Sequence, residues 1–289
     1  MTNPVRISTL AAPVDRARQL KAAMTFRERC ITAKGRALRL WGNAIKGVGY
    51  LYHAVAPWKR WHMPSTVQPC LRTAAARSTA SEVRIPRIVW QTNFTASCSL
   101  PMWVNYRHNL RLSRNYEYRF VSTEERLAYV QAHASDRVVN AYLRLTDGAA
   151  QADLWRLVVL YYEGGVYMDI DATLLRPLDA LLANRDTFFL WDRRHFSNFF
   201  IATVPQHPLF ASFIHRVVAN IETYPAADGP TVFYTTGPGA LTPILEPLPI
   251  DYVPRQIACL QGVYTNEHFQ YIDRPRSKWI YAKTFIAPP

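Results

Sequence analysis

The chain has 289 residues, 49% of them hydrophobic and 13% aromatic, which suffices for one substantial core, or one core with an appendage, and puts a globular enzyme within reach. Cys30, Cys70, Cys98 and Cys259 are too scattered for a close-spaced metal motif or a small disulfide scaffold, and a reducing compartment is the default. The net charge of +13 is uneven: residues 1–80 hold about 14 basic side chains against Asp15 and Glu28, which leaves the remainder nearly neutral.

Residues 1–13 lack a basic start followed by an apolar block, so no secretory signal is expected. The stretch from Leu40 to Trp58 is interrupted by Asn43, Lys46 and His53 and falls short of a spanning helix. The first region reads as helix with Arg27, Arg29, Lys34, Arg36 and Arg39 interleaved, followed by Leu40, Trp41, Val48 and Leu51. Cations beside Trp and Tyr suit an anionic membrane surface; a solvated helical hairpin or poorly ordered arm is the plain alternative. No specific nucleic-acid partner is expected, because no binding module accompanies the charge. The localisation expected is cytoplasmic, or peripheral on the cytoplasmic face of a membrane.

An Ala-, Arg- and Ser-rich linker spans residues 72–81, which sets the domain boundary: a basic helical arm over 1–80 and the main domain over 81–289. Ile85 to Gln91 predicts a buried first strand, and Tyr116 to Val121 alternates as a second. Ser122 with Glu125 then forms a capping pattern that opens a helix. Helices are expected over Arg137 to Leu145 and Ala149 to Tyr162, then strands over Val166 to Ile170, Thr187 to Trp191 and Phe199 to Thr203. Behind Pro208, Leu209, Phe210, Phe213, Val217 and Ile221 recur at helical spacing. This alternation predicts an α/β fold with a mainly parallel sheet.

The most informative segment runs from Asp153 to Asp171. Asp153 and Arg156 stand three apart on one helix face. Gly164 and Gly165 stop that helix, and the chain turns into a strand where alternation would aim Asp169 and Asp171 to one side. Two converging carboxylates at a buried strand end repel and are desolvated unless a cation sits between them. A divalent ion with a diphosphate answers both costs, and hard oxygen ligands suit Mn²⁺ or Mg²⁺. Asp147 with Gly148 reads as a turn, and Asp192 to His195 as a solvated loop or an acceptor rim.

Ala150, Asp153, Arg156, Leu160, Gly164, Gly165, Tyr167, Asp169 and Asp171 together resemble the sugar-binding region of glycosyltransferases that contain a DxD motif, the family of initiating α-1,6-mannosyltransferases and many bacterial glycan enzymes. Ile85 to Gln91 looks like that family's opening strand, with Trp90 at its His position; in the related clostridial glucosylating toxins a Trp there stacks on uracil. Asn198 with its apolar strand, Thr236-Gly237-Pro238, and Ser277 with Trp279 are similar to further family elements. The likeness spans about residues 84–279.

The resemblance implies a GT-A-type nucleotide-sugar-binding domain and transfer of a hexose, with retention, from a UDP- or GDP-hexose to a glycan, lipid-linked or protein acceptor. Asp171 would hold the metal, and Asp169 the metal, ribose or sugar. Asp153 and Arg156 would contact the donor sugar, Trp90 and Gln91 the base, and Ser277 and Trp279 would close over the diphosphate. A third metal ligand is expected among His268, Asp273 and Ser277. The rival readings are a metal-dependent nucleotidyl or phosphoryl transferase and a degenerate, non-enzymatic binding protein.

Overall fold

The computed structural model describes residues 24–69, 83–225, 229–250, 252–281 and 284–287. The expected linker over 72–81, Cys70 and the first 23 residues lie outside them. Helix α1 (Phe26–Val55) opens with a capping box in which Thr25 and Glu28 satisfy each other's backbone N–H groups. Strands β1 (Trp61–His62), β2 (Thr66–Val67), β3 (Ile88–Thr92) and β4 (Ser97–Cys98) follow, then α2 (Leu100–Leu112), β5 (Glu117–Val121), α3 (Thr123–His133), α4 (Asp136–Arg144) and α5 (Gly148–Glu163). The second half holds β6 (Gly165–Met168), β7 (Ala172–Leu174), α6 (Leu178–Leu182), β8 (Thr187–Asp192), β9 (His195–Thr203) and α7 (Pro208–Glu222). It ends with α8 (Val232–Thr235), α9 (Pro238–Leu245), β10 (Tyr252–Pro254), β11 (Cys259–Gln261) and α10 (Glu267–Gln270).

Seven strands make one sheet in the order β10-β8-β9-β6-β3-β5-β2. The central strands β6, β3 and β5 run parallel, as do β10 and β8. Strand β9 opposes both β6 and β8, and β2 opposes β5 at the edge. The α/β class is as expected, with the sheet mixed because the β8–β9 hairpin inserts an antiparallel pair beside β6. Strand β2 is built into that sheet, so part of segment 1–80 belongs to the main body.

Strand alternation divides the core into two layers. Val89, Val166 and Phe200 face α2 and α6, whereas Trp90, Tyr167 and Ile201 face α5 and α7. Helix α5 is buried nearly all round: Leu154, Trp155, Leu157, Val158, Val159 and Leu160 are fully enclosed, and Asp153 and Arg156 are buried with them. Asp147 is its N-cap, Oδ1 accepting from the N–H groups of Ala149 and Ala150, both at 3.0 Å.

The glycine stop has a sharper cause than a left-handed cap. Gly164 takes φ 66° and ψ −160°, a region open essentially to glycine alone, and a Cβ there would lie 2.8 Å from Pro205. Strand β6 ends at Met168, before either aspartate. The Ala172 N–H donates to the Asp169 carbonyl at 3.0 Å, which closes a turn over Asp169 to Ala172. Asp169 and Asp171 therefore converge from a turn, not through the expected alternation along a strand.

Candidate active site

The cleft opens beyond the ends of β3 and β6, encloses about 760 Å³, and takes its floor from α5, the Asp169–Asp171 turn and β9. Asp153 is held from three sides. Its Oδ1 accepts from Asn198 Nδ2 at 2.9 Å and pairs with Arg156 at 3.0 Å, and its Oδ2 accepts from Thr236 Oγ1 at 3.0 Å. Arg156 spends its remaining donors on backbone: Nε donates to the Ala152 carbonyl at 3.1 Å and Nη1 to the Asn198 carbonyl at 2.7 Å. The same guanidinium lies 4.1 Å above the Tyr167 ring and 3.6 Å from Asp169 Oδ1. Burial lifts the Asp153 carboxyl to about 6, while the Arg156 charge and then the Thr236 and Asn198 donors act the other way.

The Tyr167 hydroxyl donates to Asp169 Oδ1 at 2.6 Å. Gln261 Nε2, at the end of β11, donates to Asp169 Oδ2 at 3.1 Å and to Asp171 Oδ1 at 3.3 Å. One amide nitrogen thus sits between two carboxylates, where like charges most need a positive partner. Burial raises Asp169, and Asp171 is pushed up to about 7 by burial and then by the neighbouring Asp169 charge. Two hard oxygen donors, desolvated and facing one nitrogen, form a set that fits a divalent Mn²⁺ or Mg²⁺. Among the described residues, no group of three His, Cys, Asp or Glu side chains gathers around a point. The protein itself would therefore supply the aspartates and leave further positions to phosphate oxygens and water.

Asp153, Arg156, Asp169 and Asp171 line one cleft, together with Ser277, Lys278 and Arg274. Other expectations are corrected. Trp90 lies in the middle of β3, 4% exposed, with its indole N–H donating to the Gly164 carbonyl at 3.0 Å and its ring edge-on to Trp155. It packs the α5 layer and presents no face to the cleft, and Gln91 is likewise buried and does not line it. The chain reaches the cleft only past the strand end, at Thr92, Asn93 and Phe94, where the Arg274 guanidinium lies 4.7 Å from the Phe94 ring centroid. His268 is exposed, stacks on Tyr50 at 5.1 Å and does not line the cleft. Asp273 is engaged by Arg60 at 2.6 Å. The Trp279 side chain lies outside the described residues.

Asp192 and His195 flank the tight β8–β9 turn and line the opposite wall, with Asp192 paired to Arg255 at 2.8 Å. Gln261, Phe94 and Arg126 are the site residues that local sequence did not reveal. No pattern near Gln261 marks it, since its partners lie 92 and 90 residues earlier.

Residues 101–188 match the family model described as "Glycosyltransferase sugar-binding region containing DXD motif". Inositol phosphoceramide mannosyltransferase 1 of Schizosaccharomyces pombe is 33% identical over 142 residues, 46% of this chain and 43% of that protein. Inositol phosphoceramide mannosyltransferase 2 of the same yeast is 27% identical over 184 residues, covering 62% and 51%. Its initiation-specific alpha-1,6-mannosyltransferase is 24% identical over 223 residues, covering 66% and 53%. The chain spans about half the length of the curated relatives it matches. Among solved structures, the PaToxG glycosyltransferase aligns over 76% of this chain and 78% of its own at 14% identity, with a TM-score of 0.46. The segment that matches the family model carries α5, the glycine stop and both aspartates of the turn.

Proposed function

We propose that this protein transfers a hexose from a UDP- or GDP-hexose donor to a glycan, lipid-linked or protein acceptor, with retention at the anomeric carbon. The observation that carries the reading is the convergence of Asp153, Arg156, Asp169 and Asp171 on one cleft, with Gln261 bridging the last two.

Asp171 and Asp169 would hold Mn²⁺ or Mg²⁺. Such an ion, when bound, supplies the positive charge that stabilises the departing nucleoside diphosphate. Arg274 and Lys278 stand on the cleft wall, where their cations meet the same diphosphate from the protein side. Asp153 remains a carboxylate near neutral pH, and its Oδ2 retains a lone pair beyond the Thr236 bond with which to accept a donor-sugar hydroxyl. Arg156 has most of its donors committed to Asp153 and two carbonyls, so it acts as a positioning residue that holds both carboxylates in register. Asn93 and Phe94 lie where the chain leaves β3 and are the groups best placed to meet the base.

The test is a panel of nucleotide sugars incubated with Mn²⁺ or Mg²⁺, with release of nucleoside diphosphate and a glycoside as the readout. Asp171→Asn should lower turnover by about 10³-fold or more while the protein still folds. Normal turnover in that variant with metal present refutes the assignment, and release of pyrophosphate or free phosphate instead identifies a nucleotidyl or phosphoryl transferase.

A further inference from the structure

Helix α1 is docked by one face and bare on the other. Gly35, Gly42 and Gly49 recur every seven residues and face the body. A Cβ at Gly42 would overlap the Val263 carbonyl, and one at Gly49 would overlap the Pro101 ring. Ile31, Leu38 and Ile45 pack beside them against Leu175, Leu260 and Val263. The Lys34 Nζ donates to the Leu175 carbonyl at 3.0 Å, and Asn266 Nδ2 donates to the Tyr50 hydroxyl at 2.9 Å. The backbone therefore lies close against the body along its length, and the helix presents a fixed outer face.

That outer face is apolar. At 100° per residue, Phe26, Leu40, Trp41, Val48, Leu51 and Val55 fall in a sector of about 100° on the side away from the glycines. They are between 52% and 83% exposed, and Trp58, just past the helix end, is 77% exposed. The positions between them on this face are Cys30, Ala33, Ala37 and Ala44, all exposed, so no charged side chain breaks the stripe. Arg29 and Arg36, both exposed, border it on one side, and Arg27 and Lys34, also exposed, on the other. Over residues 24–69 eight Lys and Arg side chains stand against one acid, Glu28, which is used in the helix cap.

An exposed apolar stripe of this length, on a helix docked by its opposite face, is costly in water. A protein partner would be met by apolar surface alone, whereas a cationic border around an apolar stripe with two exposed tryptophans matches an anionic lipid interface, where acyl chains take the stripe and headgroups take the arginines. Among the described residues no helix is long and apolar enough to cross a membrane.

We propose that α1 is an in-plane membrane helix, and that the ligand of its outer face is a bilayer rich in anionic lipid. The stripe inserts at the level of the acyl–headgroup boundary, Trp41 and Trp58 sit at that boundary, and Arg27, Arg29 and Arg36 contact headgroup phosphates. This binding is independent of sugar transfer, since it uses neither the cleft nor a metal.

The experiment is flotation of the full chain with vesicles of phosphatidylcholine alone or with about one-third phosphatidylglycerol, at low and high salt. Binding is expected to the anionic vesicles, weaker to the neutral ones, and reduced by salt. Leu40→Glu with Leu51→Glu should lower partitioning by at least about tenfold with an unchanged melting temperature, because both side chains are exposed. Arg29→Glu with Arg36→Glu should remove the preference for anionic vesicles. The proposal is overturned if the parent does not float with anionic vesicles or if the Leu40/Leu51 variant floats as well as the parent. It is also overturned if light scattering finds a dimer that the same variant turns into a monomer, which would give the face to a second copy.

Discussion

Helix α1 and the cleft floor are both dense in charge, and they treat it in opposite ways. In the cleft, Asp153, Arg156 and Asp169 are tied to one another and to Asn198, Thr236, Tyr167 and Gln261, side chains delivered by five separate parts of the chain. On α1 the cations stand at the margins of an apolar stripe, and its tertiary fit comes from removing side chains at three glycines. The cleft is fixed by mutual satisfaction of buried polar groups, the helix by shape. Charge count alone says nothing about function; what matters is whether the charges have been desolvated together or left for a partner to neutralise.

The comparison can be broken most forcefully at Arg156. Arg156→Met leaves the buried Asp153 and the half-buried Asp169 without their cation, and unfolding free energy should drop by about 3–5 kcal/mol, measured in urea. A loss under 1 kcal/mol would mean that the carboxylates are satisfied by the neutral donors alone. On α1 the sensitive positions should be the glycines instead. Gly42→Ala pushes a methyl group into the Val263 carbonyl and should destabilise by about 1–3 kcal/mol. Gly47→Ala, which meets open space in the same helix, should stabilise by up to about 1 kcal/mol. Equal effects at the two sites would remove the argument for docking through shape.

A smaller, pH-dependent effect is expected where α1 meets the body. His53 Nε2 accepts from the Leu100 N–H, at the start of α2, at 3.2 Å, which requires that nitrogen to be unprotonated. Burial, then Arg60 and His268, lower its pKa, with Asp273 acting in the other direction. A histidine depressed on folding binds more protons unfolded than folded, so its contribution is full above about 6.5 and is lost as pH falls through the window below that value. Relative to His53→Gln, the parent should therefore lose about 1 kcal/mol, one hydrogen bond, as pH falls below about 6.5, against the opposite slope that the raised Asp153 and Asp171 carboxyls give both proteins. An unchanged slope in the variant would assign it to other groups. The slightest effect on activity is expected at Trp90. Trp90→Phe strands the Gly164 carbonyl and should cost about 1–3 kcal/mol in stability. Its donor KM should stay within about threefold of the parent's, since the ring packs the core. A large KM change with intact stability would return Trp90 to the site.

What could be read from sequence is what is decided within a few residues. The Ser122–Glu125 capping box closes as expected, both reciprocal bonds forming. The helix behind Pro208 starts there, and Asp153 and Arg156 pair across one turn of α5. The α/β class followed from the alternation of such segments. The misses share a different cause. Trp90 carried a family role by position, but strand alternation turned it toward Trp155 and the core. The aspartates were expected along a strand, yet β6 stops at Met168 and a turn performs the convergence. Gln261 acquires its role only when segments 90 and 92 residues apart are brought together, and nothing adjacent to it encodes that; Asn198 and Thr236 are singled out by the resemblance, but not their bonds to Asp153, 45 and 83 residues away.

The three glycines of α1 also have a mechanical meaning. Along the length of the helix the body is fastened at Lys34, Tyr50, His53 and, just beyond its end, Arg60. Two of these fastenings, to Asn266 and Asp273, bracket the segment that contributes Gln270 and Tyr271 to the cleft wall. A helix pressed flush against its support behaves as a beam rather than a lever arm. The 266–273 segment is thus braced from both ends by α1 and the residues just beyond it, which fixes where Gln270 and Tyr271 stand in the cleft wall.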